Sequence, residues 1–194
     1  MMKETGAVAH PVQPPATDTR KVGMWLFLVS EVMFFSGLIS AALNMKMRSP
    51  ADANHALNIP VTAVNTFVLI CSSTAVVMAL SALQDGRKRT AIRWMILTAI
   101  LGSTFVAVQV NEYIHLLRDG FTPQSSLFAG GFYAVTSFHG FHVFLGVLVL
   151  LWLIARTVRG SVSAKHYMPF ECWGLYWHFV DIVWILLFTI QYLL

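Results

Sequence analysis

Residues 23–43 read GMWLFLVSEVMFFSGLISAAL, an apolar run broken near its middle by one carboxylate, Glu31. An α-helix rises about 1.5 Å per residue, so a run of this length crosses the ~30 Å hydrocarbon core of a bilayer. The rest of the chain repeats the pattern. Of 194 residues, 57% are hydrophobic and 11% charged, and the mean hydropathy is +0.66. Apolar runs cover residues 22–43, 61–83, 91–114, 127–155 and 174–194. The sequence therefore predicts an all-α integral membrane protein, a bundle of five transmembrane helices in one domain over residues 22–194. Little chain remains for a soluble domain.

Residues 1–21 are polar and carry Pro11, Pro14 and Pro15. The run that follows is too long for a secretory h-region and lacks a small-residue cleavage site after a basic start, so a short cytoplasmic tail is expected rather than a cleaved signal. Ten of the thirteen Lys and Arg fall on one side of the expected bundle, Arg20, Lys21, Arg87, Lys88 and Arg156 among them, against Lys46, Arg48 and Arg118 on the other. That bias predicts a cytoplasmic N-terminus and an external C-terminus. The net charge of +4 needs no nucleic acid to explain it. Cys71 and Cys172 sit in or near different helices without CxxC spacing and read as small buried hydrophobes. Phosphate-binding glycine loops, hydrolase signatures and internal repeats are missing from the sequence.

Polar groups at membrane depth carry the functional signal, because their burial is costly. Glu31 lies about nine residues into its helix, roughly 14 Å deep, near the midplane. At 100° per residue it shares a face with Met24, Phe27, Leu28, Phe35, Leu38 and Ala42; Ser30, Ser36, Gly37, Ser40 and Ala41 lie opposite. Helices in lipid approach closely through small residues. Glu31 is thus expected to face away from the tightest packing, toward a partner subunit, a lipid or a cleft. Burial disfavours a charged carboxylate, which predicts a neutral acid unless a cation lies near. The plainer alternative is a protonated acid bonded to a neighbouring helix.

In SFHGFHVFLG, His139 and His142 are three apart on one face, with Gly146 one turn beyond. That spacing could ligate a metal or haem, but inter-helix or lipid-headgroup bonding is the favoured reading, with Gly146 admitting a backbone or an acyl chain. In ECWGLYWHFVDIVW, Glu171 precedes the expected helix, and Asp181 can accept from His178. The pair could relay protons, or, as favoured, fix packing as a neutralised pair. Gln109, Glu112 and His115 are stacked at helical spacing near the outer interface and read as caps or inter-helix bonds. Asn65, Thr66, Ser72, Ser73 and Thr74 read as inter-helix hydrogen-bonding residues. Trp94, Tyr113, Tyr133, Tyr167, Tyr176 and Tyr192 read as interfacial anchors.

Three segments, WLFLVSEVMFFSGLISA, GGFYAVTSFHGFHVFLGVLVLL and YWHFVDIVWILLF, resemble in order and spacing the signature stretches of subunit III of haem-copper respiratory oxidases. NTFVLICSSTAVVMA and LGSTFVAVQVNEYIH are similar to the same family, so the likeness runs from Lys21 to Leu194. The chain resembles the short bacterial form with five helices, which lacks the first two helices of the seven-helix version. The resemblance implies a non-redox subunit of a proton-pumping oxidase that reduces oxygen to water. It would bind no haem or copper itself. It would pack against catalytic subunit I, beside subunit II, in the bacterial inner membrane, hold structural phospholipids in a cleft and support sustained proton uptake. The cleft is where the two missing helices would matter most, and a partner subunit or an extra helix would have to close it. Glu31 matches the family's carbodiimide-reactive intramembrane acid, and His139, His142, His178 and Asp181 match helix residues whose family roles are structural or lipid-linked. The electron donor is bound elsewhere in such complexes; glutamate at position 31 tilts the reading toward cytochrome c over quinol, and supercomplex membership is left open.

Two other readings remain at this level. A subunit III-like protein of nitric oxide reductases shares these helix motifs and is separable by gene neighbourhood. A free-standing b-type cytochrome would need His139 or His142 opposite His178 at equal depth. Measured from the apolar run that starts at residue 174, His178 is only about 6 Å in, against mid-membrane for the other two.

Overall fold

A computed structural model describes residues 19–48, 59–164 and 166–193; the expected tail lies largely in residues 1–18, outside them. Five helices, each long and apolar enough to span a membrane, make up the fold. They are α1 (Thr19–Arg48), α2 (Ile59–Gln84), α3 (Lys88–Arg118), α4 (Leu127–Val158) and α5 (Met168–Phe188), and a single π-helical turn (Thr189–Leu193) prolongs α5. No strand occurs among the described residues. The protein is a multi-pass membrane protein.

The helices outrun the apolar stretches that announce them, and at α5 the difference moves a site residue. The run begins at residue 174, yet α5 begins at Met168 because Pro169 stands in its first turn, where a missing N–H and a fixed φ suit helix initiation. Glu171 adds a negative charge at the positive end of the helix dipole. Across the bundle the ends are chemically matched. Gly86, at φ 74°, stops α2 with Arg87 N–H donating to Ala82 O at 2.8 Å, and Gly160, at φ 84°, stops α4 with Ser161 N–H donating to Arg156 O at 3.0 Å. This is the left-handed cap that only glycine adopts without strain. The Ser126 hydroxyl opens α4 by accepting from Ala129 N–H at 3.1 Å.

The packing has three layers. Helices α4 and α5 form the middle one; α1 lies against one side of both, and the α2–α3 hairpin covers the other, α3 on α4 and α2 on α5. Helix α1 is the least enclosed, burying only Leu28, Phe35 and Ala42. It is fastened along its length by polar contacts: Lys21 to Glu171 at 2.7 Å near one end, and Lys46 Nζ donating to Ile190 O at 2.8 Å and Gln191 O at 3.0 Å near the other.

The face that α1 buries is not the expected one. Ser30, Ser36, Gly37, Ser40 and Ala41 are exposed, and the bulky face carrying Glu31 turns inward. Close approach needs a small residue on only one of two helices, and here α4 supplies it. A Cβ at Gly131 would lie 3.3 Å from Ala42 Cα and 3.1 Å from Met45 Sδ. Cys71 and Cys172 are half-buried instead of fully enclosed.

Candidate functional site

The centre of the bundle is built around Trp177 of α5. Its indole fills the gap between α3 and α4: a Cβ at Gly102 would fall 2.7 Å from Trp177 Cη2, and one at Gly146 would fall 2.8 Å from Cζ3. Nε1–H of the same ring donates to Ser72 Oγ of α2 at 2.9 Å. One side chain thus engages three other helices. Gly146 receives this ring, and the ring of Tyr176 beside it, in place of the expected backbone or acyl chain. Trp173 stacks on Trp177 with centroids 5.2 Å apart and donates to Gly146 O at 3.0 Å; Trp184 donates to Thr66 Oγ1 at 2.9 Å. The tryptophans of α5 join a large apolar body to one buried donor, and α2 and α4 accept each one.

Glu31 of α1 meets His142 of α4, with Oε2 3.2 Å from Nε2. The distance is that of an ion pair, and the alignment falls short of a hydrogen bond. His142 Nδ1 lies 2.7 Å from Phe138 O. A carbonyl only accepts, so Nδ1 carries a hydrogen, and the tautomer follows from that bond. Nε2 of a neutral ring is then an acceptor. The carboxyl group and this ring edge therefore face each other at ion-pair distance. Phe34, Phe35 and Phe138 wall it, and Tyr176 OH donates to His142 O at 2.9 Å. Tyr176 is therefore an interior residue of this cluster, not an interfacial anchor. Glu31 likewise points into the bundle, correcting the outward placement expected from its helix face.

His139 and His142 share a helix face but part company. His139 is 0% exposed, stacks on Trp184 at 4.8 Å and meets Phe105 edge-on at 5.9 Å. No hydrogen-bond partner reaches either ring nitrogen. His178 and Asp181 do not pair directly. His178 Nδ1 lies 3.2 Å from Ser73 Oγ of α2, and that hydroxyl is also beside the Asp181 carboxylate, so a serine stands between the two. Because α5 starts at Met168, His178 is ten residues in, or about 15 Å. His178 is therefore deeper than the apolar run implied, but His139 stacks at the level of Trp184, six residues or about 9 Å further along α5, so unequal depth still separates His178 from His139. Orientation separates them as well: the ring of His139 is closed between Trp184 and Phe105, and that of His178 turns to Ser73 of α2. No group of three or more His, Cys, Asp or Glu suited to a metal ion occurs among the described residues.

At the end opposite the arginine-rich one, Glu112 of α3 is buried, and its Oε1 accepts from Thr62 Oγ1 of α2 and Tyr192 OH of the terminal turn, each at 3.1 Å. Tyr113 OH donates to Thr136 Oγ1 of α4 at 2.7 Å. His115 is exposed and takes no part in this cluster, and Gln109 is buried without a partner. Of the polar residues singled out on α2, Asn65 donates to Phe105 O at 3.2 Å, and Thr66, Ser72 and Ser73 serve α5 as described; Thr74 is exposed. Glu171, expected before its helix, stands inside it as the partner of Lys21. The signal that sequence reading passed over was Trp177: its flanking tryptophans and the glycines at 102 and 146 are complementary, but they lie on three different helices.

Comparison with known proteins joins these observations to a family. The family described as cytochrome c oxidase subunit III matches residues 3–194. The chain is 36% identical over 192 residues to cytochrome c oxidase subunit 3 of Thermostichus vulcanus, covering 97% of this chain and 92% of that one. It is 33% identical over 174 residues to cytochrome bo(3) ubiquinol oxidase subunit 3 of Pseudomonas aeruginosa, covering 89% and 83%. Against cytochrome c oxidase subunit 3 of Scyliorhinus canicula it is 34% identical over 188 residues, covering 92% of this chain but 71% of that longer relative.

Proposed function

The chain belongs to the cytochrome c oxidase subunit III family of the haem-copper oxidases, and from that membership we propose that it is the non-redox accessory subunit of a proton-pumping terminal oxidase. As a subunit III it works within a multi-subunit oxidoreductase complex. In the proposed arrangement it packs against catalytic subunit I with subunit II nearby, in a bacterial inner membrane, with its arginine-rich end cytoplasmic. The redox groups and the electron donor, taken as cytochrome c, are held by those partners. The observation that carries this reading is the match over residues 3–194, which leaves no stretch of the bundle outside the family pattern.

Phospholipid binding is the second part of the proposal. At the arginine-rich end a pocket of about 370 Å³ is lined by Arg20, Arg156, His166 and Tyr167, where the basic side chains suit an anionic headgroup. An open apolar groove of about 560 Å³ along α3 and α4, lined by Ile96, Ile100, Leu151 and Ile154, is of a size to take an acyl chain. The Glu31–His142 contact acts in this proposal as the mid-membrane anchor of α1, supporting proton uptake by keeping the subunit assembled. Co-purification from membranes under mild detergent tests the reading. The chain should travel with a haem-containing subunit I and a subunit II, and isolated chain should show no Soret band. Stoichiometric haem on the isolated chain, or co-purification with a nitric oxide reductase, would overturn it.

A further inference from the structure

Three buried polar side chains are left without protein partners in the half of the bundle away from the arginine-rich end. They are His139 at both ring nitrogens and Gln109 and Gln191 at both amide atoms; their exposures are 0%, 3% and 2%. Six unpaired polar atoms inside an apolar bundle would carry a desolvation cost comparable to the net stability of a domain. Native folds do not leave so many unmet in one region.

Helical register places these groups on a ladder. His139 stacks on Trp184 and faces Phe105, which sets one level across α3, α4 and α5. One turn further from the arginine-rich end are Gln109, four residues past Phe105 on α3, and Thr136, three residues before His139 on the antiparallel α4. A further turn brings Glu112 and Tyr113 on α3 to the level of Gln191 and Tyr192, where Tyr192 bonds Glu112 at 3.1 Å. Hydroxyls connect the ladder to the outside: exposed Ser137 donates to Tyr113 OH at 3.4 Å, and Tyr113 to fully buried Thr136 at 2.7 Å. The Gln109 amide stands beside the Tyr113 hydroxyl, out of line for a well-formed hydrogen bond.

We infer that this half of the bundle interior binds a short file of water molecules that enters by Ser137 and Tyr113, is held by Gln109 and Gln191, and ends on the imidazole of His139. The ligand must be small, and it must both donate and accept, because each amide and a neutral imidazole present one group of either kind. Water meets that description and makes the two to four hydrogen bonds that buried sites require. The consequence is that His139, enclosed by Trp184 and Phe105 near mid-membrane, exchanges its ring proton with the aqueous phase while the route toward the arginine-rich end is closed by Trp177 in its glycine slot.

The test is water-edited solid-state NMR on the intact oxidase complex in liposomes, with this chain labelled at His and Gln nitrogen and water itself as the probe. Magnetisation should pass from water to the His139 ring and the Gln109 amide, and Gln109→Leu should slow the build-up at His139 several-fold while leaving exposed Gln84 unchanged. Absence of transfer to His139 in the unsubstituted complex would overturn the inference, as would transfer that Gln109→Leu leaves unaltered. If Gln109→Leu fails to assemble, the measurement on the unsubstituted complex decides alone.

Discussion

Glu31 stands out in the sequence, because an acid inside an apolar run is costly to bury and persists only where a partner or a task offsets that cost; its partner does not. His142 lies on a helix distant in sequence, and no periodicity within α1 or α4 brings the two together. The outward placement of Glu31 fails for a physical reason: it assigns close packing to the small residues of α1, whereas Gly131 of α4 supplies the small side of that contact. Because Glu31 Oε2 and His142 Nε2 lie 3.2 Å apart inside the bundle, removing one partner strands the other in a buried place. We predict that His142→Leu or Glu31→Gln alone costs about 1–3 kcal/mol, and that Glu31→Leu with His142→Leu costs less than the sum of the singles. Reversible unfolding in mixed micelles measures this, and strict additivity would count against coupling between the two side chains. An apolar carbodiimide should label the unsubstituted chain at Glu31, and Glu31→Gln should abolish that labelling; persistence would place the reactive acid elsewhere.

At the scale of the element, the helices were legible in number and approximate position but their ends were not, since a hydropathy run stops at the first charge and a helix does not. Helix α5 begins six residues before its apolar run because Pro169 and Glu171 suit a first turn, and this moved His178 from the interface to the middle of the bundle. The same helix carries the tightest packing. Trp177 is confined by Gly102 and Gly146 on opposite sides, so the ring cannot retreat from a new methyl group on either. Gly146→Ala should therefore destabilise by about 1–3 kcal/mol through overpacking, and Gly37→Ala, with open space around it, should be near neutral. Equal effects at the two positions would mean that Trp177 is free to move. Helix α1 behaves differently, since its end contacts are polar. Lys46→Met removes the donor to the Ile190 and Gln191 carbonyls. Amide exchange over residues 189–193 should accelerate several-fold. Lys21→Met should leave global stability nearly unchanged, because the Lys21–Glu171 pair is solvent-accessible and such pairs contribute little.

At the scale of the whole molecule, the family was legible because its signature segments are contiguous: each is one helix face, preserved within a stretch of sequence. The three-layer arrangement was not, because which helices touch is decided by complementary shapes on separate helices, such as one indole and two glycines. That arrangement bears on how the subunit serves its complex. Helices α2 to α5 are locked by tryptophan donors and glycine slots, whereas α1 rests on them by a narrow stripe and a few polar contacts and leaves Trp25, Leu26, Val29 and Met33 exposed. In the proposed accessory role, a bundle with one loosely held helix steadies its neighbours through a broad apolar surface. Oxidase depleted of this chain should therefore start turning over at nearly the rate of the intact complex and lose activity faster during sustained turnover. His142→Leu in the intact complex should fall between the two, since it loosens α1 without removing the rest of the bundle. Oxygen-electrode progress curves on the three preparations read this directly: a lower initial rate with an unchanged decay in the depleted enzyme would assign the chain to the catalytic cycle itself, and identical curves would deny it the stabilising role.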